Sequence, residues 1–214
     1  MNDPTVLLFL KAPVPGRVKT RLAADIGDEA AVAVYRQLAE QQIHQIPSNW
    51  RLRILFDPPR AEEEMKDWLG ETHEFHPQRP GDLGGRLRAG VEQAFSGGAD
   101  QVFCIGADCP CLHTENFLKA RRMLQSDADV VVIPAEDGGF VLLGMKKPDL
   151  SLFDDIPWSQ PNTLDVTLKR AEALNLTVDL LPPCFDIDTL TDLKRAIHSG
   201  YLTLPKNINT GVCT

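Results

Sequence analysis

The sequence predicts an α/β chain, a single three-layer α/β/α domain around a mainly parallel sheet. Three observations lead there. Short apolar runs alternate with stretches of helical periodicity almost from end to end, as strand–helix–strand units require. The first of these runs is apolar on both faces, which suits a central strand covered by helices on either side. No internal repeat, low-complexity block or linker divides residues 1–214, a length suited to one large core.

Thr5 to Leu10 is the first strand. A helix runs from about Asp28 to Ile46, with Ala31, Val34 and Leu38 at helical spacing and Asp28 and Glu29 near its positive N-terminus. Pro47 ends it. Arg51 to Phe56 is the second strand, stopped by Asp57-Pro58-Pro59, and Ala61 to Leu69 is a short acidic helix closing at Gly70. Residues 71–81 read as a polar loop broken by Pro77 and Pro80. Gly81 to Leu87 then opens a helix that continues to about Phe95. Gln101 to Gly106 is the clearest strand, followed by a helix from Thr114, its N-cap, to Leu124. Asp129 to Pro134 and Phe140 to Met145 are strands joined by Glu136-Asp137-Gly138-Gly139. A helix (Asn162 to Leu174), a strand (Thr177 to Leu181), the turn Asp186-Ile187-Asp188 and a last helix (Leu190 to His198) complete the chain.

Composition narrows the function. A formal charge of −8 opposes nucleic acid or an anionic membrane as the main partner, since both repel an acidic surface. The N-terminal apolar run is too short for a signal peptide and no later stretch is long enough to span a bilayer, so a cytoplasmic protein is expected. Cysteines at 104, 109, 111, 184 and 213 are odd in number and read as reduced thiols. Cys109-Pro110-Cys111 is a C-x-C without a partner pair, weak as a zinc signal.

In open α/β sheets ligands bind beyond the carboxyl ends of the strands, so the residues that follow each strand are the candidates. After the first comes a Gly/Pro loop in which Lys11, Arg17, Lys19 and Arg21 fall within eleven residues. Loop amides and cations together suit phosphate, and two prolines, Pro13 and Pro15, limit the freedom of the segment around Gly16. A solvated basic turn is the simpler account. Asp108 follows the central strand, Glu136 to Gly139 the next, and Asp186 with Asp188 the last. Cations on one side and carboxylates on the other suit a phosphate-bearing substrate held through a hard divalent ion. Each acid has a structural alternative. Asp108 can cap a turn, Asp188 or Thr189 can cap the last helix, and Gly138-Gly139 can be a hairpin turn. Gly81 to Gly85 is either a helix start or a loop that touches a base.

Six ordered motifs carry a family resemblance: K-A-P-V-P-G-R-V-K-T-R-L, G-D-L-G-x-R-L, I-G-A-D-C-P, A-E-D-G-G-F, I-P-W-S and D-I-D-T. Together they resemble a bacterial family of small GT-A-like transferases, usually labelled glycosyltransferases and sometimes found beside arsenosugar or radical-SAM genes. More distantly the chain is similar to the guanylyl-transferring enzymes of coenzyme F420 and molybdenum cofactor synthesis. The resemblance implies a nucleotide-diphospho-sugar transferase fold, with a nucleotide-binding half at about 1–110 and an acceptor half at about 111–200. It also implies that Lys11, Pro15, Gly16, Arg17, Lys19 and Arg21 meet phosphates and that Gly81, Asp82 and Leu83 lie near base or ribose. Asp108 matches the metal-binding aspartate, with Asp188 as second ligand to Mg2+ or Mn2+. Glu136, Asp137, Gly138 and Gly139 face the sugar or acceptor, and Ile156 to Ser159 closes over it. The usual D-x-D is here Gly106-Ala107-Asp108, with one acid. The expected partners are a nucleotide or nucleotide-sugar and a small acceptor. Glycosyl transfer is the first expectation and nucleotidyl transfer from an NTP the second. A nucleotide-binding module without catalysis is the third.

Overall fold

The computed structural model describes residues 3–204. Seven strands form one sheet: β1 (Thr5–Lys11), β2 (Arg51–Asp57), β3 (Glu74–Pro77), β4 (Val102–Ile105), β5 (Val130–Pro134), β6 (Phe140–Met145) and β7 (Val178–Leu180). Their order is β3-β2-β1-β4-β6-β5-β7. All pairs are parallel except those of β6, which runs antiparallel between β4 and β5. Lys11 lies opposite Asp57 at the carboxyl end of β2, and Leu8 opposite Ile105 at the end of β4. The open ends of β1, β2 and β4 therefore share one edge.

Helices cover both faces, as successive side chains of β1 require. Val6, Leu8 and Leu10 join one core with α2 (Asp28–Gln45), α3 (Glu62–Leu69) and α5 (Thr114–Gln125), through Val32, Met65 and Phe117 among others. Leu7 enters a second core with α4 (Leu83–Ser96), α6 (Thr163–Ala173) and a 3-10 turn at Leu150–Phe153. A third cluster joins α1 (Thr20–Ile26), the outer side of α2 and α7 (Leu190–His198) through Leu22, Val34 and Leu193. No helix of the described residues is long and apolar enough to cross a membrane.

Three elements depart from the sequence expectation. The end of the basic stretch is helical, because α1 starts at Thr20 and breaks from α2 only at Gly27, whose φ is +84°. Residues 74–77, expected as loop, form the edge strand β3. Its polarity reflects its place at the sheet margin, where Glu74 takes hydrogen bonds from Arg51 (2.6 Å) and Arg53 (3.2 Å). His113 rather than Thr114 occupies the N-cap of α5, since the Thr114 hydroxyl donates to Gln45 O at 2.8 Å. Cys213 lies outside the described residues.

Candidate active site

A cleft of about 820 Å³ opens where β1, β2 and β4 end. Its basic wall starts at β1. Tyr35 of α2 holds the last residue of that strand on both sides, its hydroxyl accepting from Lys11 N at 2.8 Å and donating to Lys11 O at 3.0 Å. The loop then turns at Gly16 (φ +75°), where Arg17 N donates to Val14 O at 3.0 Å. Arg17 and Arg21 are exposed, and both line the cleft with Lys11.

Lys19 behaves differently. It caps α1 in the left-handed conformation (φ 49°, ψ 41°), which turns its side chain inward until only 4% of it is exposed. The ammonium reaches Asp108 Oδ1 at 2.6 Å, Ile187 O at 2.6 Å and Asp188 Oδ1 at 3.5 Å. A buried cation thus lies among acids that follow two different strands, β4 and β7. Arg21 adds a looser contact to Asp188 at 3.5 Å.

The acids are positioned by backbone pairing. Ile187 N donates to Asp108 O at 3.0 Å, which joins the loop after β4 to the segment before α7. Asp108 is not a turn cap. Its buried Oδ1 meets the Lys19 ammonium at 2.6 Å, and that charge is its compensation. Nor is Asp188 a helix cap, because Thr189 takes that place, accepting from Asp192 N and donating to Asp192 Oδ2 at 2.7 Å. Asp186 also lines the cleft. Burial, and then the Asp108 charge, push its carboxyl up to about 7 against the pull of Lys19.

The remaining walls come from the segment after β3 and from the apolar side. Gln78 knits strand ends together, donating to Leu10 O at 3.0 Å and Leu55 O at 2.8 Å. Arg86 of α4 holds the same segment through Gln78 Oε1 and Gly81 O, both at 3.0 Å, and reaches Asp57 at 3.3 Å. Asp82 caps α4, accepting from Gly85 N at 2.8 Å, and with Gly81 and Leu83 it faces the cleft. The stretch is therefore a helix start, and it also forms part of the cleft wall. Phe9, Phe140 and Trp158 supply apolar surface. Trp158 seats against Gly84, where a Cβ would fall 2.0 Å from its indole nitrogen.

Of the residues singled out by sequence, Lys11, Arg17, Lys19, Arg21, Gly81, Asp82, Leu83, Asp108 and Asp188 meet in this cleft. Pro15, Gly16, Glu136, Asp137, Gly138 and Gly139 do not line it. Glu136 is instead tied in two hydrogen bonds to Arg195 of α7 (2.6 and 2.8 Å), which hold its carboxyl below the usual range. Asp137 accepts from Gly139 N at 2.9 Å, although its charge still reaches Asp186. Gly138 is required by packing, because at φ +92° a Cβ would lie 1.8 Å from Pro161 O. The hairpin reading of this turn is the one that forms. Asp186, Asp57, Gln78 and Arg86 carry more of the site than their sequence context suggests. The Asp-Ile-Asp spacing is the one signal for Asp186, and Gln78 and Arg86 have none beyond their nearness to the glycine cluster.

A profile of the DUF2064 family, described as "uncharacterized protein conserved in bacteria", matches residues 42–160. No curated protein matches the chain. Among solved structures, the chain is 32% identical to a protein of Desulfovibrio desulfuricans G20 provisionally named a nucleotide-diphospho-sugar transferase. That match covers 98% of this chain and 93% of the other, with a TM-score of 0.88. The fold is also similar to 4-diphosphocytidyl-2C-methyl-D-erythritol synthase of Anaerococcus prevotii DSM 20548 (11% identity, 94% and 99% of the two chains, TM-score 0.60). A nucleotidyl transferase of Methanothermobacter thermautotroptrophicus shares it as well (15% identity, 94% and 98%, TM-score 0.58). The architecture is thus that of nucleotide-diphospho-sugar transferases. With the profile spanning more than half its length, the chain belongs to the bacterial DUF2064 family.

Proposed function

We propose that the protein is a transferase acting on a nucleotide-activated donor, and that it moves a sugar from a nucleoside-diphosphate sugar to a hydroxyl of a small acceptor. One observation carries this reading: Asp108 and Asp188 converge within 3.5 Å of the Lys19 ammonium, inside a cleft that also holds Lys11, Arg17 and Arg21. The Desulfovibrio relative, by its name, supports the donor class. In this reading residues 1–110 hold the nucleotide and 111–200 the acceptor.

Lys11, Arg17 and Arg21 bind the diphosphate oxygens by charge-assisted hydrogen bonds. Leu83 and Trp158 flank the base or sugar, with Gly81 leaving room for close approach. The residues suit a hard divalent ion, since Asp108 and Asp188 keep 46% and 47% of their side chains exposed and, with Asp186, offer carboxylate oxygen to the cleft. Asp108 and Asp188 would hold it. A divalent ion held there, Mg2+ or Mn2+, would supply positive charge against the departing diphosphate. Lys19 shares that work from the protein side, already compensating both acids. The acceptor oxygen forms its bond to the anomeric carbon as the carbon–oxygen bond to the β-phosphate breaks. The nucleoside diphosphate leaves with the electron pair, and the hydroxyl proton passes to a carboxylate. Asp186 is the base for that proton, because it lines the cleft, whereas Asp137 does not and Glu136 is occupied by Arg195.

Incubation with UDP- and GDP-sugars, Mg2+ and an acceptor panel should release nucleoside diphosphate. Asp186→Asn should lower kcat about 100-fold or more with the donor KM little changed. An unchanged kcat would remove Asp186 from proton transfer. A second reading rests on the density of exposed cations, which suits a triphosphate, namely nucleotidyl transfer onto a phosphorylated metabolite. Release of pyrophosphate from an NTP in place of nucleoside diphosphate would establish that reading and sink the first.

A further inference from the structure

Behind the acids of the cleft lies a group of side chains that the transfer reaction does not use. The Sγ atoms of Cys109, Cys111 and Cys184 all lie within 4.8 Å of one another. Among the described residues they are the one group of three or more His, Cys, Asp or Glu that converges so closely. Cys109 and Cys111 flank Pro110, which forms a turn with Cys111, and their thiols lie 3.7 Å apart. Cys184 arrives from the far end of the chain, and its thiol donates to Cys111 O at 3.7 Å. No pair among them is a disulfide.

We propose that these three cysteines form a trigonal thiolate site for a thiophilic d10 cation, Zn2+ or Cu+. An ion equidistant from three sulfurs sits at their separation divided by √3. Separations of 3.7 to 4.8 Å place it about 2.1 to 2.8 Å from each, a span that contains the usual Zn–S distance of about 2.3 Å. Soft sulfur selects these ions over the hard Mg2+ of the neighbouring carboxylates. Ordinary packing accounts for Cys109 and Cys184, which are buried, but Cys111 is half-buried and gives the ion a way in. Three thiolates around such an ion leave net negative charge. The Arg195 guanidinium lies near enough to Cys111 to feel its charge and offsets part of it, the rest of its own charge being met by Glu136.

The consequence follows from chain order. Cys109 and Cys111 adjoin Asp108, and Cys184 stands two residues before Asp186. A cross-link between these segments clamps both acid-bearing loops together beneath the cleft. The site stands on the thiols alone, whatever reaction the cleft performs.

The full-length, fully reduced chain titrated anaerobically with Zn2+ or Cu+, each against a chromophoric chelator, should take up one equivalent of at least one ion. The ion bound more tightly against its competitor identifies the metal. Cys111→Ser and Cys184→Ser should weaken uptake by more than about 100-fold, beyond the loss typical of a supporting residue. Cys104→Ala, which removes a thiol outside the cluster, should bind as the unmodified chain does. In the unsubstituted protein the ion should also protect those three thiols from alkylation, read peptide by peptide in a mass spectrometer, so the test does not depend on a variant folding. No uptake of either ion overturns the proposal, as does equal affinity in the Cys111→Ser/Cys184→Ser double variant or alkylation at an unchanged rate.

Discussion

Two side chains decide the chemistry of the cleft. Asp108 sets a carboxylate at the cleft, its buried Oδ1 held by the Lys19 ammonium at 2.6 Å and 46% of its side chain open to a ligand. Asp108→Asn should therefore keep the circular-dichroism spectrum while raising the Kd for nucleotide in the presence of Mg2+ at least about tenfold. Calorimetry checks it, and an unaltered Mg2+ requirement would exclude the ligand role. Lys19 reads in the sequence as one more phosphate-binding cation. The structure makes it the counter-ion of Asp108 and Asp188, with 4% of its side chain exposed against 46% and 47% of theirs. Removing it strands partly screened acids, so Lys19→Ala should lose about 1 to 3 kcal/mol in chemical denaturation. Mg2+ should restore part of that loss, and a variant as stable as the parent with or without Mg2+ would contradict this placement. What hid this role is the left-handed backbone at Lys19, which aims the side chain inward and which residue type does not announce.

At the scale of elements, most of the fold is legible in the sequence because both-face apolar runs and helical spacing encode it directly. Central β1 and β4 are identifiable for that reason. Edge strand β3 escapes notice because half of a margin strand faces water and Glu74, not an apolar residue, secures it to β2. The direction of β6 is legible only through its turn. Gly138-Gly139 joins adjacent strands, and a connection that short permits only antiparallel pairing. The same turn seats the start of α6, since Leu164 N donates to Gly138 O at 2.9 Å and Pro161 fills the space of the missing Cβ. Gly138→Ala combines a positive φ with a backbone clash that no side-chain rotation relieves, and should cost at least about 3 kcal/mol in urea unfolding. A loss below about 1 kcal/mol would mean that the hairpin and α6 are not so closely joined.

Across the whole molecule the candidate site is an assembly of distant chain segments, and this limits what sequence alone reveals of it. The basic loop and the acids are visible one by one, but their union depends on Lys19 reaching Ile187, 168 residues later, and on Ile187 N meeting Asp108 O at 3.0 Å. Nothing local predicts that the segment leading into the last helix returns beside the first loop. A nucleotide bridged by a divalent ion would touch β1, β4 and the 186–188 segment at once, so occupancy should stabilise the entire sheet rather than a single loop. A donor present at about 100 times its Kd should then add roughly 2.7 kcal/mol to unfolding, in one cooperative transition. The same donor without divalent ion should add far less, because Asp108 and Asp188 repel bare phosphate. Hydrogen exchange monitored with and without Mg2+ provides the test. Protection should rise together at the end of β1, in the loop after β4 and across 186–188. Protection confined to the basic loop would show that the acids take no part in holding the donor.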